Sequence, residues 1–353
     1  MNITDIVKKH IRSFPPYVPG EQTQDPSYIK LNTNESPHPI PDAIIHEASI
    51  NFFKKLNLYP EATSDSLRSV AGNIYGLQPE NVIVGNGSSD ILSLVYRTFV
   101  DEGDIIAMPS PGFALNRDLA AIQGGKLVEV GWDINYALPL ESLLRVQSKI
   151  IVIANPNNPT GVFCPLDEIQ ELAKNHKGLL VLDEAYVDFT DQNGLEIFHK
   201  YNNVVILRSF SKSCSAAGIR LGMAFAPKQV TEYLRKAQGI YSIGRPTQAL
   251  GLAILNNIDL FEPLIKSIKE QRQITFRDLC QRGFQCIPSE TNFIFARVPV
   301  GSGGLEWYEE LKKRKILVRH FSDPGLEGFL RITIGRPEDM SKLITEIDSI
   351  LAT

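Results

Sequence analysis

Lys212 closes the stretch Arg208-Ser209-Phe210-Ser211-Lys212, which follows the apolar run Val204-Val205-Ile206-Leu207, and it is the residue best suited to covalent chemistry. A free lysine has a pKa near ~10.4 and is a poor nucleophile at neutral pH, but desolvation beside other cations frees its lone pair. Arg208 and Arg220 are the nearest such cations in sequence. Alone, a Ser-Lys pair reads as ordinary solvated surface, so its companions decide. Asp183-Glu184-Ala185-Tyr186 follows Leu179-Leu180-Val181-Leu182, and an acid directly after a buried run needs a cation, in a structural ion pair or on a ligand. Asn158 lies in the rigid loop Asn155-Pro156-Asn157-Asn158-Pro159-Thr160-Gly161, which presents side-chain amides after Ile150-Ile151-Val152-Ile153-Ala154. Ser88 and Ser89 lie in the small-residue loop Gly85-Asn86-Gly87-Ser88-Ser89-Asp90, ahead of a helical run from Ile91 to Phe99, and backbone N–H groups at such a helix start can hold a phosphate. A plain strand-to-helix turn fits that loop equally well, since the full G-x-G-x-x-G pattern is absent. Phe113, just past Ile105-Ile106-Ala107-Met108, can stack on a flat ligand or fill the core.

The elements that must position these groups are strands. From residue 65 apolar strands alternate with helices, which predicts a mainly parallel sheet covered on both faces, with its ligand crevice outside the strands' carboxyl ends. Asn158, Asp183, Tyr186 and Lys212 then converge beside the glycine-rich turn. A lysine for an imine, an acid for a pyridinium nitrogen, donors for a phenolate oxygen and helix-end amides for a phosphate are together the demands of pyridoxal 5'-phosphate. The expected fold class is α/β: a large domain over residues 36–250 with a mainly parallel sheet flanked by helices, and a smaller α+β domain from 1–35 and 251–353. In the large domain Pro41 to Phe53 is expected as a helix. In the smaller one we expect helices near Leu250 to Asn256 and Leu264 to Arg282, then strands at Asn292 to Arg297, Ile316 to Arg319 and Phe329 to Ile334. Period-2 alternation puts Leu330, Ile332 and Ile334 on one face and Arg331 on the other, and puts Arg319 opposite Val318. Two guanidiniums on a crevice suit a dianionic phosphate; solvated surface arginines are the other reading.

Composition narrows the classes. At 353 residues with 43% hydrophobic and 22% charged content, the chain can bury a large core. A formal net charge of -4 with scattered basic residues gives no footprint for nucleic acid or an anionic membrane. No apolar run approaches a membrane span, the six histidines show no metal-ligand spacing, and Cys164, Cys214, Cys280 and Cys286 form no paired framework. A reduced, cytoplasmic protein acting on small molecules is expected, without metal. The prolines and glycine of Pro15-Pro16-Tyr17-Val18-Pro19-Gly20 predict an extended arm lying across another surface.

Nearly the whole chain resembles the pyridoxal-phosphate aminotransferases of fold type I, most closely the histidinol-phosphate aminotransferases. Tyr17 to Gly20, Leu31-Asn32-Thr33-Asn34-Glu35, Tyr59-Pro60-Glu61, Asn155 to Gly161, Asp183 to Tyr186, Ser209 to Lys212 and Leu330 to Gly335 carry the likeness. The resemblance implies that Lys212 bonds the cofactor and shuttles a proton, that Asp183 pairs with the ring nitrogen, and that Asn158 and Tyr186 bind the phenolate oxygen. Phe113 is implied to stack on the ring, and Ser88, Ser89, Ser209, Ser211 and Arg220 to hold the phosphate, with Tyr59 reaching it from the second subunit of a homodimer. Tyr17, Asn34, Arg319 and Arg331 are implied on the substrate side. The expected reaction exchanges an amino group between L-histidinol phosphate and 2-oxoglutarate in histidine biosynthesis. An aromatic amino-acid aminotransferase or an amino-acid-phosphate decarboxylase would carry similar cofactor residues, and a non-enzymatic cofactor-binding regulator is the alternative from another class. The chain departs from the family at Ile240-Tyr241-Ser242, where a Pro-aromatic-Asn segment is common, at Asn116, where an aromatic is common, and at Arg336 after Gly335.

Overall fold

The structure, a computed structural model, describes residues 2–12, 20–52 and 55–352. Most of the proposed arm, including Tyr17, lies outside the described residues, as does Phe53 at the end of the first expected helix. The strands in chain order are β1 (Ile29–Lys30), β2 (Val82–Gly85), β3 (Ile105–Ser110), β4 (Lys126–Gly131), β5 (Ile150–Ala154), β6 (Leu179–Asp183), β7 (Val204–Ser209), β8 (Gly222–Phe225), β9 (Gln285–Ile287), β10 (Phe293–Arg297), β11 (Ile316–Leu317), β12 (Arg319–His320) and β13 (Phe329–Thr333).

A seven-stranded sheet runs in the order β2-β8-β7-β6-β5-β3-β4. All its neighbours pair in parallel except β8, which is antiparallel to both β2 and β7. The central strands read as continuous apolar runs because both faces are covered: Ile150, Ile151, Leu180, Val181, Leu182, Val204, Val205, Ile206 and Leu207 are fully buried. Successive side chains point to opposite faces, so they divide between two cores. Ile151, Leu180, Leu182, Val204 and Ile206 face one, and Ile150, Val181, Val205 and Leu207 the other. Each such side chain contributes roughly 1.5–3 kcal/mol of burial. The helix Ser88–Phe99 covers the second core with Ile91, Leu92, Leu94, Val95 and Tyr96.

A separate antiparallel sheet, β12-β13-β10-β9, packs with the helices Glu262–Gln281, Gly304–Lys313 and Pro337–Leu351 around a third core. The chain's amino-terminal part joins that core: β1 pairs in parallel with β11, and Leu31 is buried there. The expected single strand Ile316 to Arg319 divides at buried Val318, with β11 pairing to β1 and β12 to β13. The expected division at 250/251 falls inside a continuous helix, Arg245–Asn256, whose Ala253, Ile254 and Leu255 pack in the core of the large sheet. A Cβ on Gly251 in that helix would lie 2.5 Å from Leu221 Cδ2 and 3.1 Å from Leu67 Cδ2, so the helix packs closely on the large unit at this point.

Candidate active site

The carboxyl ends of β5, β6 and β7 open onto a cleft of about 620 Å³ between the two units. Lys212, Asp183, Tyr186, Asn158, Phe113, Ser88, Ser89, Ser209, Ser211 and Arg220 line it from the large unit, and Asn34, Arg319 and Arg331 from the other side. Tyr59 is not brought to this cleft. It is 76% exposed and stacks on Tyr241, with ring centroids 4.5 Å apart and planes at 12°.

Asp183 and Glu184 are adjacent on an extended backbone and therefore face opposite ways. Asp183 lines the cleft, buried, with the Ala185 N–H donating to Oδ1 at 3.1 Å. Among the described residues no salt bridge reaches it, so the structural ion-pair reading does not hold. Burial pushes its carboxyl up to about 6 against that N–H and the more distant Lys212 ammonium. Glu184 points away, accepts from the Gly194 N–H, and lies 2.9 Å from Arg208 Nε in an ion pair not aligned as a hydrogen bond. This corrects the part expected of Arg208, whose charge belongs to the Glu184 and Asp188 cluster. Lys212 donates from Nζ to the Thr33 carbonyl at 3.2 Å. Burial, then the Arg331 guanidinium, lowers its pKa to about 8, with smaller contributions from Arg220 and Lys30 opposed by Glu35.

The glycine-rich turn is a cradle. Gly87, at φ +89°, precedes the helix that begins at Ser88, and a Cβ on it would lie 2.5 Å from Arg220 Nη2. A Cβ on Gly222 would lie 2.2 Å from the Ser88 nitrogen. The backbone contact at Gly222 and the positive φ at Gly87 require glycine, and together they keep the helix-start N–H groups beside the guanidinium. Arg220 spans the gap, donating to Ser89 Oγ at 3.3 Å and Ser211 Oγ at 3.5 Å. Of the loop asparagines, Asn155 clasps Cys164 and Asn157 bonds Thr160 and Pro111, so both staple the loop. Asn158 is the one in the cleft, and its Oδ1 accepts from Arg331 Nη1 at 2.6 Å.

Across the cleft, Arg319 and Arg331 are direct partners in the β12-β13 register, and both approach the Phe321 ring, at 5.7 and 5.8 Å. Like charges placed directly opposite repel, and Arg331 is turned to Asn158 Oδ1 and to the Asn32 carbonyl, to which its Nη2 donates at 2.9 Å. Asn34 is only 1% exposed and is bonded into the protein, its Nδ2 donating to Tyr186 Oη at 2.8 Å.

The departures from the family pattern do not reshape the cleft walls. Asn116 is buried behind Phe113, accepting from Tyr96 Oη at 2.9 Å and donating to the Phe113 carbonyl at 3.0 Å. Ile240 and Tyr241 lie at the surface beside Tyr59, and Arg336 donates to the Pro37 carbonyl. Sequence reading missed the Thr33 carbonyl, which carries no side-chain signature, and Thr333, which shares Arg331's face of β13 and was legible by the same period-2 count.

The match to known families decides what this arrangement is. Residues 26–347 match the family model described as aminotransferase class I and II. The chain belongs to that family. Among curated aminotransferases it is 42% identical over 323 residues to histidinol-phosphate aminotransferase 3 of Mesorhizobium japonicum, covering 91% of this chain and 87% of that one. It is 36% identical to the histidinol-phosphate aminotransferase of Rippkaea orientalis, over 98% of both chains. A crystal structure of histidinol-phosphate aminotransferase from Sinorhizobium meliloti in complex with pyridoxal-5'-phosphate has the same fold, with a TM-score of 0.88 at 22% identity over 98% of each chain. The demands of that cofactor fit this aminotransferase's cleft: a buried acid short of a cation, a lysine with a lowered pKa, and helix-start amides beside an arginine. Among the described residues no cluster could hold a metal ion, and no helix is long and apolar enough to cross a membrane.

Proposed function

We propose that this aminotransferase binds pyridoxal 5'-phosphate on Lys212 and transfers the amino group of L-histidinol phosphate to 2-oxoglutarate in histidine biosynthesis. The observation that carries the substrate reading is the cross-strand pair Arg319 and Arg331 on the cleft wall. Histidinol phosphate has no carboxylate, so its phosphate takes the place where 2-oxoglutarate binds a carboxylate in the other half-reaction. Two guanidiniums suit a phosphate dianion, while one serves a carboxylate. The names of the curated relatives support the same substrate.

The bound cofactor supplies an electron sink for the pair of electrons left on the substrate's Cα. The Lys212 amine takes the Cα proton and returns it, and its lowered pKa supports that use. Asp183 holds a proton on the ring nitrogen and gains the cation its burial lacks. Asn158 and Tyr186 donate to the phenolate oxygen, Phe113 covers the ring, and Ser88, Ser89, Ser209, Ser211 and Arg220 bind the phosphate. Arg331 is placed on both sides of this scheme, since it binds the substrate anion and holds Asn158.

We read the molecule as a homodimer whose Tyr59 completes the partner's site. Tyr59 and Tyr241 stack on each other while exposed, and their chain neighbours Leu58 and Ile240 are exposed as well, which supports contact with a second copy. The two units divide near residue 261, after the helix that packs on the large core, with the chain before about residue 36 joining the smaller unit. All four cysteines are free, which supports a reducing, cytoplasmic setting. The test is a panel of amino donors scored as kcat/KM on wild type and Arg319→Ala. We expect histidinol phosphate to be the preferred donor, and Arg319→Ala to impair it more than glutamate or phenylalanine. A wild-type preference for a free aromatic amino acid, carbon dioxide release without a keto acid, or equal loss of both donors would overturn the substrate assignment.

A further inference from the structure

Behind Tyr186 lies a closed chain of buried hydrogen bonds. Asn34 sits at φ +57°, a left-handed conformation that asparagine and aspartate tolerate better than other side chains. Its backbone N–H donates to Thr333 Oγ1 at 3.0 Å, and the Thr333 hydroxyl donates back to Asn34 Oδ1 at 3.1 Å. The Asn34 carbonyl accepts from Asn292 Nδ2 at 3.0 Å. Asn34, Thr333 and Asn292 are each no more than 2% exposed.

This arrangement assigns the amide. With Oδ1 toward Thr333, the threonine proton has its acceptor and Nδ2 faces Tyr186 Oη at 2.8 Å. Turned over, the amide would place a donor against Thr333 and leave that buried hydroxyl proton without an acceptor, a cost of about 1–3 kcal/mol in general. An amide NH₂ only donates, so Tyr186 Oη accepts there and must give its own proton to some other acceptor.

We propose that Thr333, acting through Asn34, sets the direction of the Tyr186 hydroxyl proton, and that Asn34 is a positioning residue rather than a substrate ligand. This rests on the reading above in which Tyr186 donates to the cofactor's phenolate oxygen. The device explains why β13, which carries the anion-binding Arg331, also carries a buried hydroxyl two residues on, and it links the amino-terminal strap to the cofactor's electronic state. A hydrogen bond donated to the phenolate stabilises its anion and lowers the pH at which the bound cofactor changes protonation.

The experiment is a pH titration of visible absorbance on reconstituted holoenzyme. Thr333→Val keeps the shape and removes the hydroxyl without changing charge; its midpoint should rise by about half to one pH unit, as expected for the loss of one hydrogen bond. Thr333→Ser should restore the midpoint. Asn34→Asp replaces the donor facing Tyr186 with an acceptor and should raise it further, with kcat falling more than KM changes. Tyr186→Phe sets the size of the whole effect. If Tyr186→Phe moves the midpoint while Thr333→Val leaves it within about 0.1 unit of wild type, the relay is wrong and the role of Tyr186 stands. If Tyr186→Phe moves nothing, both fall. The Thr333 pair is decisive by itself if Asn34→Asp does not fold.

Discussion

The two walls of the cleft are built by different means. The wall formed by the large sheet takes Asn158, Asp183 and Lys212 from the ends of three adjacent parallel strands, so each functional residue follows directly on the apolar run that aims it. The opposite wall is assembled from distant pieces: Arg331 bonds Asn158 across 173 positions, and Asn34 bonds Tyr186 across 152. The first wall is polar chemistry set into a rigid, doubly covered sheet. The second is charge held by cross-strand register and by a strap of extended chain. Damage to the first should therefore abolish chemistry while leaving the choice of donor intact, and damage to the second should change which donor is used.

The largest expected effect lies on the first wall. Lys212→Ala should abolish turnover, because in the proposed reading one side chain both carries the cofactor and moves the Cα proton. Borohydride reduction and peptide mapping of wild type should find the pyridoxyl group on Lys212, and its recovery on another lysine would remove the assignment. Mixing inactive Lys212→Ala with Tyr59→Ala under conditions of subunit exchange should restore part of the activity, since one hybrid site contains both residues. An active monomer in sedimentation would rule that out.

Asp183 separates stability from function on the same wall. In the cofactor-free protein its folded pKa of about 6 lies above the ordinary carboxylate value. The protein is thus most favoured with Asp183 neutral, and that advantage is lost as pH rises through about 6. Ionising a carboxyl so far above its ordinary range carries a burden on the order of 3 kcal/mol at higher pH. Cofactor-free Asp183→Asn should accordingly be more stable than cofactor-free wild type at pH ~7.5, with the difference vanishing near pH ~4. With cofactor bound the order should reverse, and kcat should fall by about a hundredfold or more. Urea unfolding of both forms across pH checks the sign. A cofactor-free Asp183→Asn that is less stable at every pH would mean that the carboxylate has a structural partner.

How much of this was legible follows from the same contrast. The strands β5, β6 and β7 and the residues after them could be read because period and burial are local properties. The outward aim of Arg331 and Arg319 came from alternation alone. The strand break at Val318 could not be read, because the two halves of Ile316 to Arg319 satisfy their backbones in different sheets, and neighbour choice is not written in side-chain type. Arg208 is only four residues from Lys212 in the chain, yet the pleat sends it to the far face, against Glu184, so closeness in sequence misleads there. The antiparallel placement of β8 is likewise a matter of topology, decided by where the chain can return after the Lys212 loop.

The smallest effect sharpens the comparison most, because it concerns a residue that supports a wall without belonging to it. Asn116 stands where the family resemblance leads one to expect an aromatic, a difference that suggests an altered substrate pocket, yet it is 3% exposed and both ends of its amide are used internally. Asn116→Ala would strand the hydroxyl of fully buried Tyr96 and loosen the Phe113 carbonyl. Leaving such a group unsatisfied costs about 1–3 kcal/mol, so the variant should unfold at lower urea with its m-value unchanged. Cofactor affinity should weaken only slightly, since the Phe113 carbonyl loses the side-chain donor but keeps the backbone N–H of residue 116 at 3.1 Å. The ratio of kcat/KM for histidinol phosphate to that for glutamate should stay within about twofold of wild type, since in the proposed reading Arg319 and Arg331, which distinguish the two donors, lie on the opposite wall. A changed ratio would show that the Phe113 wall also reads the substrate, and the division between a cofactor wall and a substrate wall would then fail at the position where sequence comparison first drew attention.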